Sequence, residues 1–104
     1  MIRRCFAILV VLTLIATPLL AADAAALFKT KCFACHGEKG SGDTVMGKKL
    51  GIRNLASAPV QGQTDAALIA IITNGKQKMP AYGGKIPDPD IKALVAHIRT
   101  FATK

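Results

Sequence analysis

The chain has 104 residues, 51% of them hydrophobic, and 14 Lys and Arg against 6 Asp and Glu give it a formal net charge of +8. With no Trp, one Tyr and no basic stripe interleaved with aromatic residues, this charge does not read as a nucleic-acid surface. A chain of this length makes one small domain whose apolar core alone gives little stability, so something besides side-chain burial has to staple it.

The N-terminus reads MIRRCFAILVVLTLIATPLLAADA: a short basic start at Arg3 and Arg4, an apolar run from Cys5, then Pro18 and a series of alanines. That order is expected of a secretory signal peptide. The run from Cys5 to Ala22 is just long enough to span a bilayer, so a retained anchor facing the periplasm or a thylakoid lumen is the alternative. Pro18 followed by small residues favours cleavage, placed at 22 within a window of 21 to 24. Residues 1–22 are thus expected to be a leader and 23–104 the mature domain, exported to the periplasm and without stable membrane insertion. Cleavage removes Cys5 and leaves Cys32 and Cys35 as the only cysteines.

In the mature chain the pattern predicts helices and loops and no strand, an all-α fold. Asp23 is expected to cap a first helix in which Ala24, Leu27 and Phe28 fall at helical spacing and lead into Cys32. The stretch from Gly37 to Gly51 holds five glycines among polar residues and predicts a loop. Thr64 and Asp65 open a second helix with Leu68, Ile71 and Ile72 on one face, stopped at Asn74-Gly75. An irregular segment with Met79-Pro80 and two paired glycines follows. Asp88 as cap, Pro89 in the first turn and a stripe of Ile91, Leu94, Val95, Ile98 and Phe101 predict the last helix.

The chemistry lies in Cys32-Phe33-Ala34-Cys35-His36. Such a Cys-x-x-Cys-His can be a redox dithiol, part of a metal site, or the attachment point of a c-type haem. A thioredoxin-like dithiol needs a preceding strand and a helix N-terminus to lower the thiol pKa, whereas these cysteines follow a helix. A closed zinc site needs four ligands, and the mature chain adds only His97, inside the last helix. Haem fits best: Cys32 and Cys35 bond the porphyrin vinyl groups and His36 reaches the iron. For the second axial position Met79, in a loop before a proline, is the candidate. Met46 follows His36 too closely to cross to the far face.

With Phe28 four residues before Cys32, the motif itself, Met79-Pro80 and an amphipathic last helix, the chain resembles the class I monohaem cytochromes c, especially small bacterial periplasmic and algal lumenal forms. The resemblance implies a small cytochrome c fold, about three to four helices wrapped around one covalently attached haem c, with the haem as the missing staple. It also implies Cys32 and Cys35 as haem attachment points, His36 as proximal and Met79 as distal iron ligand. Two features depart from the family. Lys48 stands where many members have a proline whose carbonyl accepts the histidine ring N–H, and the Trp that often binds a propionate is missing, leaving Arg53, Asn54 or Gln63 for that role. His97 falls where the family packs an aromatic against the first helix and is read as a packing residue facing Ala24.

An iron with both axial positions filled exchanges electrons and does not bind substrate, which makes the chain an electron carrier and not an enzyme, and it is expected to be a monomer. A Met opposite a His, and an apolar shell of Phe28, Leu55, Leu68, Ile72, Leu94 and Ile98, favour the reduced ion and a high potential. The alternatives are a haem subunit of a dehydrogenase or oxidase, and a small-molecule-binding haem sensor or peroxidase. Lys48, Lys49, Lys76, Lys78 and Lys85, in the loops that carry or cover the ligands, predict a docking face for redox proteins with acidic surfaces.

Overall fold

A computed structural model describes residues 19–103. The expected leader lies outside the described residues up to Pro18, and so does the expected helix break at that proline. Six α-helices follow in order: α1 (Leu19–Lys31), α2 (Phe33–His36), α3 (Val45–Leu50), α4 (Ala58–Gln61), α5 (Asp65–Asn74) and α6 (Asp88–Arg99), with a 3-10 turn over Thr100–Thr103. Among the described residues there is no strand, only isolated bridges at Lys76–Met79 and Gly83–Ile86. The all-α expectation stands: α1, α5 and α6 are the long helices, and three short ones fill the connections.

The core is built on α6. Ile91, Leu94 and Val95 are fully buried and Ile98 and Phe101 nearly so, which is the stripe read from the sequence. Each such side chain contributes about 1.5–3 kcal/mol by leaving water. Helix α1 crosses α6 and places Ala24 and Phe28 against it, while α5 adds Leu68 and Ile72 from the other side. The C-terminal end of α6 is tied down by Arg99. Its guanidinium donates to the carbonyls of Gln61 (2.7 Å) and Gln63 (2.5 Å) and to Asp65 Oδ1 (2.9 Å). Asp65 is 72% exposed, so the ion pair itself adds little and the bonds to backbone carbonyls carry the clamp. Gln61 completes it by donating to the carbonyls of Leu55 and Ile98.

Several boundaries differ from the sequence expectation. Helix α1 is already running at Leu19, the first described residue, so Asp23 lies inside it and not at its start; the preceding Leu and Ala residues are themselves good helix formers. The glycine-rich stretch holds α3: Thr44 accepts from the Gly47 amide at 2.8 Å as an N-cap, and Gly51 ends the helix in the left-handed conformation. Gly47 is needed there for a different reason, since a Cβ would fall 2.2 Å from the Gly42 carbonyl oxygen and 2.6 Å from that of Cys35. Helix α4 was not anticipated. At α6 the cap position is Pro87, with Asp88 and Asp90 in the first turn, where their charge favours the positive end of the helix.

Candidate haem-binding site

One wall of the site is the end of α1 and the motif. The Cys32 amide donates to Phe28 O (2.9 Å) and the His36 amide to Cys32 O (2.9 Å), so the chain turns tightly through α2 and brings both thiols and the imidazole together. Helix α3 braces this turn from outside, Thr44 Oγ1 donating to Cys35 O at 2.8 Å. Another part of the wall is the segment after α5. Gly75 stops that helix at φ 76°, and a Cβ on it would meet Met79 O at 2.7 Å. Lys76 and Met79 then exchange two backbone hydrogen bonds (3.2 and 3.0 Å) across a two-residue turn. Gln77 in that turn has φ 54°, a left-handed conformation costing a non-glycine residue about 1–2 kcal/mol. Beyond Met79, Tyr82 N donates to Ile72 O and Gly83 N to Thr73 O, both at 2.9 Å, which fastens the loop to α5.

These segments border a cavity of about 620 Å³ lined by Cys32, Cys35, His36, Met79 and Tyr82, with Leu50, Ile52, Leu55, Val60, Leu68 and Ile71 supplying apolar surface. An adjoining apolar pocket of about 60 Å³ shares His36 and Met79 and reaches Phe28, Ile72, Leu94 and Ile98. The six apolar shell residues named from sequence therefore all line one or other of these spaces. Met46 does not: it sits on α3, 43% exposed.

Burial, and then the neighbouring Cys35, push the Cys32 thiol up to about 11. At neutral pH it is a protonated thiol, the reverse of the lowered pKa of a redox-active thiolate. Burial lowers the His36 pKa from its ordinary value, so at pH 7 the imidazole is neutral, the form that binds metal. Its Nδ1 is buried with no hydrogen-bond partner among the described residues, which leaves Nε2 as the ring nitrogen for a ligand in the cavity. His97 lies elsewhere, its ring 5.3 Å from Phe28 and 5.2 Å from Phe101. Among the described residues no three His, Cys, Asp or Glu side chains gather to hold a metal ion.

Of the propionate candidates, Arg53 and Gln63 line the cavity, whereas Asn54 turns its Oδ1 onto the Ala56 amide (2.9 Å). Two of the five lysines expected around the haem edge lie on the cavity. Lys76 and Lys78 line the cavity, but Lys48, Lys49 and Lys85 do not, and Lys48 is paired with Asp43 at 3.0 Å. Lys31, which sequence reasoning passed over, lines it instead, from the last turn of α1. Its position immediately before Cys32 was the available signal. Tyr82 was also missed, although it follows Met79 closely in an irregular segment.

Two thiols, a neutral imidazole, a thioether and an apolar cavity of porphyrin size fit a covalently held haem. A helical shell closed around such a site defines a c-type cytochrome. A family model described as cytochrome c oxidase, cbb3-type, subunit III matches residues 20–98. Cytochrome c6 of Picosynechococcus sp. is 36% identical over 91 residues, covering 79% of this chain and 76% of that protein. Cytochrome c6 of Leptolyngbya boryana is 35% identical over 86 residues, covering 80% of this chain and 98% of that one. The cbb3-type cytochrome c oxidase subunit FixP of Azorhizobium caulinodans is 36% identical over 78 residues, 73% of this chain, but the chain spans only 25% of that relative's length. Among solved structures, the KustC0563 c-type cytochrome is similar with a TM-score of 0.69 and 32% identity, covering 75% of this chain and 95% of that one. The chain belongs to this c-type cytochrome family, as a class I monohaem cytochrome c, an electron-transfer protein with one covalently bound haem c. When bound, haem supplies an iron that gains and loses one electron at a time.

Proposed function

We propose that the chain is an exported, monomeric carrier that takes single electrons from one redox protein and passes them to another, without catalysing a reaction of its own. In this reading Cys32 and Cys35 form the thioether links, His36 is the proximal iron ligand and Met79 the distal one. The observation that supports it is a cavity lined by Cys32, Cys35, His36 and Met79 together. A methionine opposite the histidine and the apolar lining both favour the reduced ion, so the carrier belongs on the oxidising side of its chain. No helix among the described residues is long and apolar enough to cross a membrane.

The docking face is the rim formed by Lys31, Lys76, Lys78 and Arg53, all exposed and all on the cavity. Cations at the place where electrons enter and leave attract an acidic partner and turn its redox centre inward, a gain in encounter rate more than in affinity. Carbon monoxide separates the carrier from a ligand-binding haem protein. The reduced wild type should bind it poorly and the Met79→Ala variant well, while strong binding by the wild type would favour a sensor or peroxidase.

A second reading is supported by the subunit III family match: the domain serves one oxidase as a resident electron donor. Purification under mild detergent decides between them. A free carrier elutes alone, and an oxidase subunit elutes with the other subunits of the oxidase.

A further inference from the structure

Tyr82 is bonded at three points. Its amide donates to Ile72 O in α5 at 2.9 Å, and its carbonyl accepts from Lys85 and Ile86 at 3.0 Å each. Its hydroxyl reaches the end of α1 and donates to Lys31 O at 3.3 Å. That carbonyl belongs to the last turn of α1, where a helix has run out of its own amide donors. The segment so fastened begins in the Lys76–Met79 turn, whose Gln77 is held in a conformation unfavourable to its residue type. A strained turn persists where its surroundings hold it, and Tyr82 is the nearest residue beyond Met79 that bonds to the segment bearing the two cysteines.

We propose that the Tyr82 hydroxyl is a latch that joins the Met79 loop to the haem-attachment segment and governs how readily Met79 leaves the iron. The proposal rests on Met79 being the distal ligand. Tyr82 acts through Met79 and is a positioning residue. Its other bonds fix the backbone on the α5 side only, so loss of the hydroxyl leaves the fold in place and frees the loop to swing away from α1. Phenylalanine at this position fills the same space and keeps every backbone bond, which isolates the hydroxyl.

The test is made on the holoprotein in the ferric state. Imidazole is titrated against the weak far-red absorption band that marks sulfur opposite histidine. The loop has to open before imidazole can reach the iron, so Tyr82→Phe should bind it about five-fold more tightly than the wild type, the size expected for one long neutral hydrogen bond. Val95→Ala, which loosens the core away from the cavity, should lower the thermal midpoint and leave the imidazole affinity unchanged. Equal affinities in Tyr82→Phe and wild type, or an equal gain in Val95→Ala, would overturn the latch. Met79→Ala separates the two levels: if the band survives in that variant, the ligand assignment itself fails, whereas loss of the band with an unchanged Tyr82→Phe titration removes the latch alone.

Discussion

The rings of Phe28 and His97 lie 5.3 Å apart with their planes at 54°, where α1 crosses α6. Phe101 completes the group at 5.3 Å from Phe28 and 5.2 Å from His97. His97 thus takes the place of an aromatic packing residue, and burial lowers its pKa from the ordinary value. A partly buried histidine whose pKa is lowered binds fewer protons folded than unfolded at a given pH, so it withdraws stability as pH falls below about 6.5, where the unfolded chain charges first. The thermal midpoint of the holoprotein should therefore fall between pH 7 and pH 5 by more in the wild type than in His97→Phe. Parallel curves for the two proteins would show that His97 does not titrate with folding.

The haem is expected to supply most of the order that so small a domain lacks. Helices of 10 to 13 residues, the lengths of α5, α6 and α1, are marginal alone, and the cavity of about 620 Å³ is a large void for so small a core to close over. Cys32→Ala combined with Cys35→Ala should give a chain with weak helical circular dichroism and no cooperative melt. A cooperative thermal transition in that double variant would contradict the idea that the haem is the staple.

Much of this was legible in the sequence because the decisive signals are local. Thr64 as a cap, Gly75 as a stop and the stripe from Ile91 to Phe101 each follow from neighbouring residues, and the structure places them as read. Spacing alone brought Cys32, Cys35 and His36 together, since one turn of chain separates them. The misses depend on contacts distant in sequence. Helix α3 exists because Thr44 caps it and because Gly47 lets it lie on Cys35, and composition shows five glycines without showing that close approach. Lys48 is a nearer case, lying off the cavity and paired with Asp43 five positions earlier. Tyr82 reaches Lys31 across 51 positions of sequence, a relation no local pattern encodes.

The cavity rim makes a kinetic prediction. Electron transfer to a negatively charged acceptor should slow steeply with added salt, because charges separated by more than about 10 Å are screened at 0.1 M ionic strength. Lys76→Glu with Lys78→Glu should reduce the low-salt rate and flatten that dependence. Lys92→Glu, exposed on α6 and away from the cavity, should do much less. If stopped-flow rates respond equally to the two sets of changes, net charge and not a docking face controls the encounter.

The apolar stripe of α6 can be checked by stability alone. Leu94 is 1% exposed and lines the small pocket that adjoins His36 and Met79. Leu94→Ala should cost about 2–5 kcal/mol in denaturant unfolding of the holoprotein. A loss under about 1 kcal/mol would mean that the pocket collapses onto the vacated space.

The axial ligands are tested most directly by the ferric absorption spectrum of two methionine variants. Met79 lines the cavity with His36, and Met46 stands outside it on α3. The wild type and Met46→Ala should both show the weak far-red band of sulfur opposite histidine, and Met79→Ala should lose it while keeping its covalent haem. A band that survives in Met79→Ala and disappears in Met46→Ala would contradict the site as described.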